Sequence, residues 1–292
     1  MSAHSSNYSI FEKLLILYAR RFPIRRGKLR LINSLWRAAV LGRGTDRLAV
    51  LKYSGFKMTC DLNQMLQRQF YFFGTYFLEE DHLHHWRGEA RGVKIVFDVG
   101  ANTGIYSLAA LSAQRDANVH AFEPTPEIAA HLRETAALNG LDHLFIHEAA
   151  VLGKKGQAVL RRFRGETGTN EGMNFISTEF NGPGAEHVQA ICLDQFCLDH
   201  GINRIDLLKI DVQGHEHSVL RGAENLLRDG RITTIFMELN WAKDSRSVCP
   251  ASESIDILEK TGYKFCAVED HVNFKQSGAW MSSMTNVIAR RK

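Results

Sequence analysis

The run Val93-Lys-Ile-Val-Phe-Asp98-Val-Gly-Ala-Asn-Thr-Gly104 decides the fold. It starts as a short apolar stretch and reaches a carboxylate at Asp98. It then turns through a loop bracketed by Gly100 and Gly104 and passes into the helix-like segment Ile105–Ala113. A short apolar run bounded by glycine reads as a buried strand, and glycine lets the turn take dihedrals that other residues avoid. Strand, tight turn and helix make the first half of a βαβ unit, whose parallel strands are joined by a crossover helix.

The alternation continues downstream. Strands are expected at Asn118–Glu123, His143–His147, Ile205–Asp211 and Ile232–Glu238. Helices are expected at Pro126–Asn139, closed by Gly140, then from the fourth strand through Leu227, and at Ser252–Thr261. Strands alternating with helices predict an α/β fold with a doubly wound, Rossmann-like parallel sheet. The closing stretches Tyr263–Glu269 and Thr285–Arg290 read as two strands and suit an antiparallel edge. Arg164–His187, dense in Gly, Asn, Thr and Glu, breaks the alternation and reads either as a substrate-covering loop or as a plain insertion.

Upstream, residues 9–41 read as one or two basic amphipathic helices broken near Pro23 and Gly27. Residues 48–61 suggest a hairpin around Ser54-Gly55, and Gln64 to Trp86 is rich in aromatics. The expected organisation is a basic helical extension (1–47), a hairpin and helical cap (48–90), and a catalytic domain (91–292). The net charge of +4 divides unevenly: ten basic residues against Glu12 and Asp46 give residues 11–47 about +8 and the remainder about −4. The core therefore does not call for nucleic acid. The extension has two open readings, a helical cap packed on the core or an arm that docks on a membrane surface or a partner.

Five cysteines without a Cys-x-x-Cys pair match neither a zinc site nor a disulfide framework. The apolar run Leu14–Ala19 is too short to span a bilayer and runs into Arg20-Arg21 without a cleavage site. A cytoplasmic protein is the expectation.

In an open parallel sheet, ligands bind beyond the carboxyl ends of the strands. Asp98, Glu123, Asp211 and Glu238 each end one of the five expected strands, where packing gains little from a carboxylate. Glu123 lies 19 residues beyond Gly104, placed to accept hydrogen bonds from a ribose diol. The dinucleotide pattern Gly-x-Gly-x-x-Gly falls here on Gly100, Asn102 and Ile105 and fails at two of three positions. An anionic Asp98 before the turn would repel a diphosphate and suits a cationic sulfonium with its amino-acid end. A nicotinamide oxidoreductase and a non-catalytic binding protein with a vestigial site remain the alternatives.

Three motifs together, Val96-Phe-Asp-Val-Gly-Ala-Asn-Thr-Gly104, Ala121-Phe-Glu-Pro124 and Leu207-Leu-Lys-Ile-Asp-Val-Gln-Gly-His-Glu216, resemble the FkbM family of class I methyltransferases. The likeness spans roughly residues 70 to 290 and leaves the N-terminal extension outside it. It implies a seven-stranded Rossmann-like fold, S-adenosylmethionine as cofactor, and O-methylation of a sugar, glycolipid, polyketide or other small natural product. It assigns donor contacts to Asp98, Gly100, Asn102, Gly104 and Glu123, and places Asp211 beside the reacting centre. Gln213 departs from the Glu that many members carry.

Methyl transfer to an alcohol needs alignment and a base for the hydroxyl proton. Asp211, His215, Glu216 and Glu238 are the candidates, and Asp211, His215 and Glu238 are taken as catalytic. His215 attracts because an ordinary imidazole, with a pKa of about 6.5, is largely neutral and basic at pH 7. His82, His84 and His85 lack ligand spacing, so no metal is expected. The acceptor is expected to be a small-molecule hydroxyl. The aromatics of Phe70–Tyr76 and Trp241 could stack on it or serve equally well in a core.

Overall fold

The computed structural model describes residues 9–162, 164–165, 168–169, 175–177, 186–240, 251–267 and 284–291. The chain divides into two compact units, residues 1–80 and 81–292.

The first unit opens with helix α1 (Ile10–Arg21). Ser9 Oγ accepts the Glu12 N–H at 2.9 Å while Glu12 receives the Ser9 N–H, a capping box that satisfies two otherwise orphaned donors. Before Pro23, Phe22 is extended, as proline imposes on its predecessor, and the helix stops. Gly27, with φ 76°, starts α2 (Lys28–Ala39). The buried Lys28 Nζ donates to the carbonyls of Ala19 and Phe22, capping the C-terminus of α1.

Strands β1 (Asp46–Val50) and β2 (Lys57–Asp61) form an antiparallel hairpin, and α3 (Met65–Phe73) packs against both α1 and the hairpin. Glu12 is fully buried, accepting from Arg47 Nε at 2.6 Å and from the Tyr71 hydroxyl at 2.7 Å. Arg20 donates to the carbonyls of Val50, Tyr71 and Phe72. Several basic residues of the expected arm thus bind this unit's own backbone and carboxylate.

Helix α4 (Glu80–Glu89) leads into the second unit. The alternation read from the sequence is present as β3 (Ile95–Val99), α5 (Ile105–Ala113), β4 (Asn118–Phe122), α6 (Pro126–Asn139) and β5 (Leu144–His147). A smaller sheet follows, in the order β10-β7-β11-β6, from β6 (Ala150–Val151), β7 (Gly156–Arg161), β10 (Phe175–Ser177) and β11 (Glu186–Ile191). The short pair β8 (Arg164–Gly165) and β9 (Gly168–Thr169) lies between β7 and β10 in the chain. The described part of Arg164–His187 is therefore largely strand.

The chain returns to the main sheet through α7 (Leu193–Asp199), β12 (Ile205–Ile210), α8 (Glu216–Arg221), α9 (Glu224–Arg228), β13 (Ile232–Asn240), α10 (Ala251–Lys260), β14 (Tyr263–Ala267) and β15 (Met284–Arg291). The main sheet has seven strands in the order β14-β15-β13-β12-β3-β4-β5. Only β15 runs antiparallel to its neighbours, and it sits between β13 and β14. The two closing strands thus form the expected antiparallel edge, with β14 outermost and β15 between it and β13. Val287, Ile288 and Ala289 are at most 2% exposed, so both faces of β15 are covered.

Helices α7 to α10 cover one face through a core that includes Phe97, Phe122, Leu208, Met237 and Val287. On the other face Trp86 of α4 packs edge-on against Tyr106 of α5 and Phe236 of β13. Successive strands step away from β3 through β4 to β5, then resume on its other side with β12. The carboxyl ends of β3 and β12 therefore flank the crevice where the strand order reverses.

Candidate functional site

That crevice is a cleft of about 710 Å3, counting the solvent at its mouth. Its polar lining is Asn102, Glu123, Thr125, Asp211, Gln213 and His215, and its apolar walls include Phe122, Val151, Leu160, Ile176 and Val212.

The loop after β3 approaches β12 closely. Asp211 N–H donates to the Val99 carbonyl at 3.0 Å, and a Cβ on Gly100 would fall 1.9 Å from the Asp211 carbonyl oxygen. With φ at 80°, Gly100 also needs the left-handed region. The N–H groups of Gly100 and Ala101 both donate to the Phe122 carbonyl at 3.0 Å. Asn102 N–H goes to Glu123 Oε2, Thr103 N–H to Asn102 Oδ1, and Gly104 N–H to the Ala101 carbonyl. Every amide from Gly100 to Gly104 is satisfied within the protein. The loop therefore lacks the free N–H cradle on which a pyrophosphate sits.

Glu123 is 6% exposed. Oε2 accepts the Asn102 N–H at 3.0 Å and Oε1 the Thr125 N–H at 2.8 Å. Burial pushes its pKa up, against the pull of these hydrogen bonds. A carboxylate has about four acceptor sites, so two remain for hydroxyl donors in the cleft. Among the described residues, Asn102 and Gln213 are the non-glycine residues with positive φ, 50° and 53°, and both line the cleft. Such conformations cost about 1–3 kcal/mol each and gather at functional sites.

Asp98 and Gly104 do not line the cleft. Asp98 is 1% exposed, and its Oδ2 accepts both the Ser107 N–H at 2.9 Å and the Ser107 hydroxyl at 2.6 Å. It caps the first turn of α5 from the neighbouring strand. Burial raises its pKa, opposed by Ser107 and by the charge of Lys209. Gly104 starts α5 at φ 78°, and a Cβ there would meet the Leu132 side chain of α6 at 2.3 Å. The missing Cβ makes room for α6.

Asp211 stands at the carboxyl end of β12, its side chain 29% exposed. Oδ2 receives Lys209 Nζ at 3.0 Å and Oδ1 receives Gln213 Nε2 at 3.1 Å. Gln213, where a carboxylate was expected by resemblance, thus acts as a donor to Asp211. The Lys209 side chain is only 4% exposed, and its ammonium lies 4.3 Å from the centre of the Tyr106 ring. Sequence reading overlooked Lys209. The signal was a charge inside the apolar run Leu207-Leu-Lys-Ile210, where a buried parallel strand tolerates one only with a partner.

His215 is 3% exposed, with Nε2 2.6 Å from the Ile176 carbonyl of β10. A carbonyl only accepts, so Nε2 carries the proton and Nδ1 alone is left to act as a base. Burial lowers the pKa of His215. Glu216 is buried and receives the Gly214 N–H at 2.9 Å, so it holds its own loop.

Glu238 is half-buried on β13, opposite Asn286 of β15, and outside the cleft lining. Met237 pairs with Ile210, which puts Glu238 level with Asp211 one strand away. His82 Nδ1 lies 3.2 Å from Asn286 Nδ2. Among the described residues no group of three His, Cys, Asp or Glu side chains is placed to hold a metal, and no helix is long and apolar enough to cross a membrane. Trp241 lies outside the described residues.

Among characterised proteins, the chain is 27% identical over 177 residues to the 2-O-methyltransferase NoeI of Sinorhizobium fredii, covering 56% of this chain and 70% of that one. It is 32% identical over 161 residues to the 31-O-demethyl-FK506 methyltransferase FkbM of Streptomyces tacrolimicus, covering 47% and 62%. It is 26% identical over 170 residues to the hexuronic acid methyltransferase AglP of Haloferax volcanii, covering 58% and 66%. The match thus spans under two thirds of the last two relatives. Residues 98–265, more than half of the chain, match the methyltransferase FkbM domain, and the protein belongs to the FkbM family of S-adenosylmethionine-dependent methyltransferases.

Proposed function

We propose that the chain methylates a hydroxyl oxygen of a small molecule, with a saccharide the favoured class, and that Asp211 receives the hydroxyl proton. The observation that carries this reading is the Asp211 carboxylate, partly exposed at the cleft and held on both oxygens by Lys209 and Gln213. The printed activities of NoeI and AglP, 2-O-methylation and hexuronic acid methylation, support the class of acceptor.

The cleft suits S-adenosylmethionine. Glu123 can take the ribose hydroxyls, Phe122, Val151 and Leu160 give apolar walls for a base, and no amide cradle for a diphosphate is present among the described loop residues 100–104. When bound, this cofactor supplies an electrophilic methyl group on a cationic sulfur. The protein's residues do the positioning. Gly100 lets the β3 loop lie against Asp211, so diol acceptor and proton acceptor share one rigid framework. Lys209 and Gln213 fix the carboxylate's direction, so that Asp211 would take the proton of an acceptor hydroxyl oriented toward it. His215 clamps Ile176 of the small sheet over the cleft.

The test uses deuterium-labelled methyl donor with saccharide and glycolipid fractions, read by mass spectrometry. Asp211→Asn should keep donor affinity within about threefold and lower turnover at least about 100-fold, the usual contribution of a general base. Label appearing on nitrogen or carbon, or full turnover by the variant, overturns the proposal.

A further inference from the structure

Helix α1 is apolar on two opposite sides. Glu12, Leu15 and Ala19 face the first unit's interior. Ile10, Leu14 and Leu17 are 80%, 56% and 56% exposed, and with Arg21 they recur at the i, i+4, i+7, i+11 spacing of a single outward stripe. Phe22 and Ile24 extend the exposed apolar surface past the helix end, at 45% and 57%. A folded domain gains nothing from such a stripe in water, and contiguous exposed apolar surface marks an interaction site.

The exposed charge carried by α1, the loop after it and α2 has one sign, with Arg25 of that loop paired to Glu80. Arg20, Lys28 and Arg47 are engaged within the unit, whereas Lys13, Arg21, Arg26 and Arg30 are exposed. From Ser9 to Thr45 the sole acidic residue is Glu12, which is buried and paired with Arg47. An apolar stripe on a segment whose exposed charges are all cationic complements a layer of anionic headgroups over acyl chains. A protein partner or a second copy of this chain fits less well, because a second copy would bring like charge against like.

We infer that the outward face of α1 and the following loop docks the enzyme on membranes rich in anionic phospholipid. Ile10, Leu14 and Leu17 enter the acyl boundary, and Lys13, Arg21 and Arg26 meet the headgroups. The docking is peripheral, since no described helix is long enough to span.

The full-length protein is sedimented with vesicles of phosphatidylcholine alone, or of phosphatidylcholine and phosphatidylglycerol in equal parts. Binding is expected to the mixed vesicles, at least tenfold weaker to the neutral ones, and to fall steeply with salt. The triple variant Ile10→Ser, Leu14→Ser, Leu17→Ser should bind the mixed vesicles at least tenfold less, with unchanged thermal unfolding and donor affinity. Replacing Lys13, Arg21 and Arg26 with Glu should abolish the preference for anionic lipid. The inference is overturned if the mixed vesicles are not bound, if neutral vesicles bind equally, or if the serine variant binds like the parent. It is also overturned if the parent forms a dimer that the serine variant dissolves while vesicle binding is absent.

Discussion

Replacing Glu123 with Gln tests whether this carboxylate is the diol acceptor or only a loop fastener. In the free protein each carboxylate oxygen accepts one backbone N–H, from Asn102 and from Thr125. The amide keeps one acceptor and turns an NH2 toward the other N–H, leaving a buried donor unpaired at about 1–3 kcal/mol. Against that, the amide removes the desolvation of a nearly buried carboxylate, the main cause of its raised pKa. The net loss of stability should therefore be modest, about 1–2 kcal/mol.

Donor binding should lose more. Two charge-assisted bonds to the ribose become at best one neutral bond, worth about 2–3 kcal/mol, or roughly 30- to 150-fold in affinity. Calorimetry with S-adenosylmethionine and urea denaturation on the same samples give both numbers. Deoxyribose analogues of the donor sharpen the result. The parent should lose affinity for each analogue, and the variant should lose much less, because the partner atom is already gone. Unchanged affinity in the variant, or equal analogue penalties in both proteins, refutes the diol assignment. A stability loss above about 4 kcal/mol would show that Glu123 is chiefly structural.

Gly100→Ala forces a left-handed Cβ, costing about 1–2 kcal/mol by conformation alone, and drives it into the Asp211 carbonyl 1.9 Å away. Destabilisation beyond about 2 kcal/mol and loss of donor binding are expected, and a parent-like denaturation curve with intact binding would contradict the close approach. His120 and His147 share a 3.1 Å ring-nitrogen contact under Phe122 and Phe196, and burial pushes both pKa values down to about 4. The unfolded chain then takes up protons below about pH 6.5 that the folded protein refuses until about pH 4. Stability conferred by the neutral pair is full above 6.5 and is lost as pH falls across that window. In His120→Phe the pH dependence of the unfolding free energy from 6.5 to 4 should be shallower by about one proton, and an unchanged slope would exclude the pair as its source.

The strand-turn-helix around Asp98 and the place of Glu123 in the cleft were legible because both follow from local pattern. An apolar run, paired glycines and a carboxylate at the next strand end each carry their meaning within about thirty residues. What stayed hidden depends on which atoms meet across the sheet. Asp98 reads as a ligand group from its place at a strand end, but its oxygen is taken by Ser107 nine residues later. Gly104 reads as part of the binding turn, but its missing Cβ makes room for Leu132. Lys209 and Asp211 were two residues apart in plain view, yet their pairing rests on the same-face alternation of β12 and on Tyr106 roofing the lysine. His215 offered two nitrogens to the sequence reader, and the small sheet, built from a segment that read as loop or insertion, takes one of them. The antiparallel closing pair was legible, but the place of β15 inside β14 was not, because strand order is a property of partners rather than of the strand.

That placement governs the order in which the molecule can be made. Strands β4, β5, β12 and β13 can pair as soon as they leave the ribosome, since each finds a neighbour among residues already synthesised. Strand β14 cannot, because the strand that joins it to the sheet, Met284–Arg291, comes after it, and until then β13 has β12 alone as a partner. Through that interval β13 keeps one edge and β14 both edges as bare rows of amides and carbonyls, the state in which sheets recruit foreign strands. Nascent chains stalled before Met284 would be the natural clients of chaperones, and the enzyme's solubility should hinge more on how promptly those last eight strand residues arrive than on any single contact in the cleft.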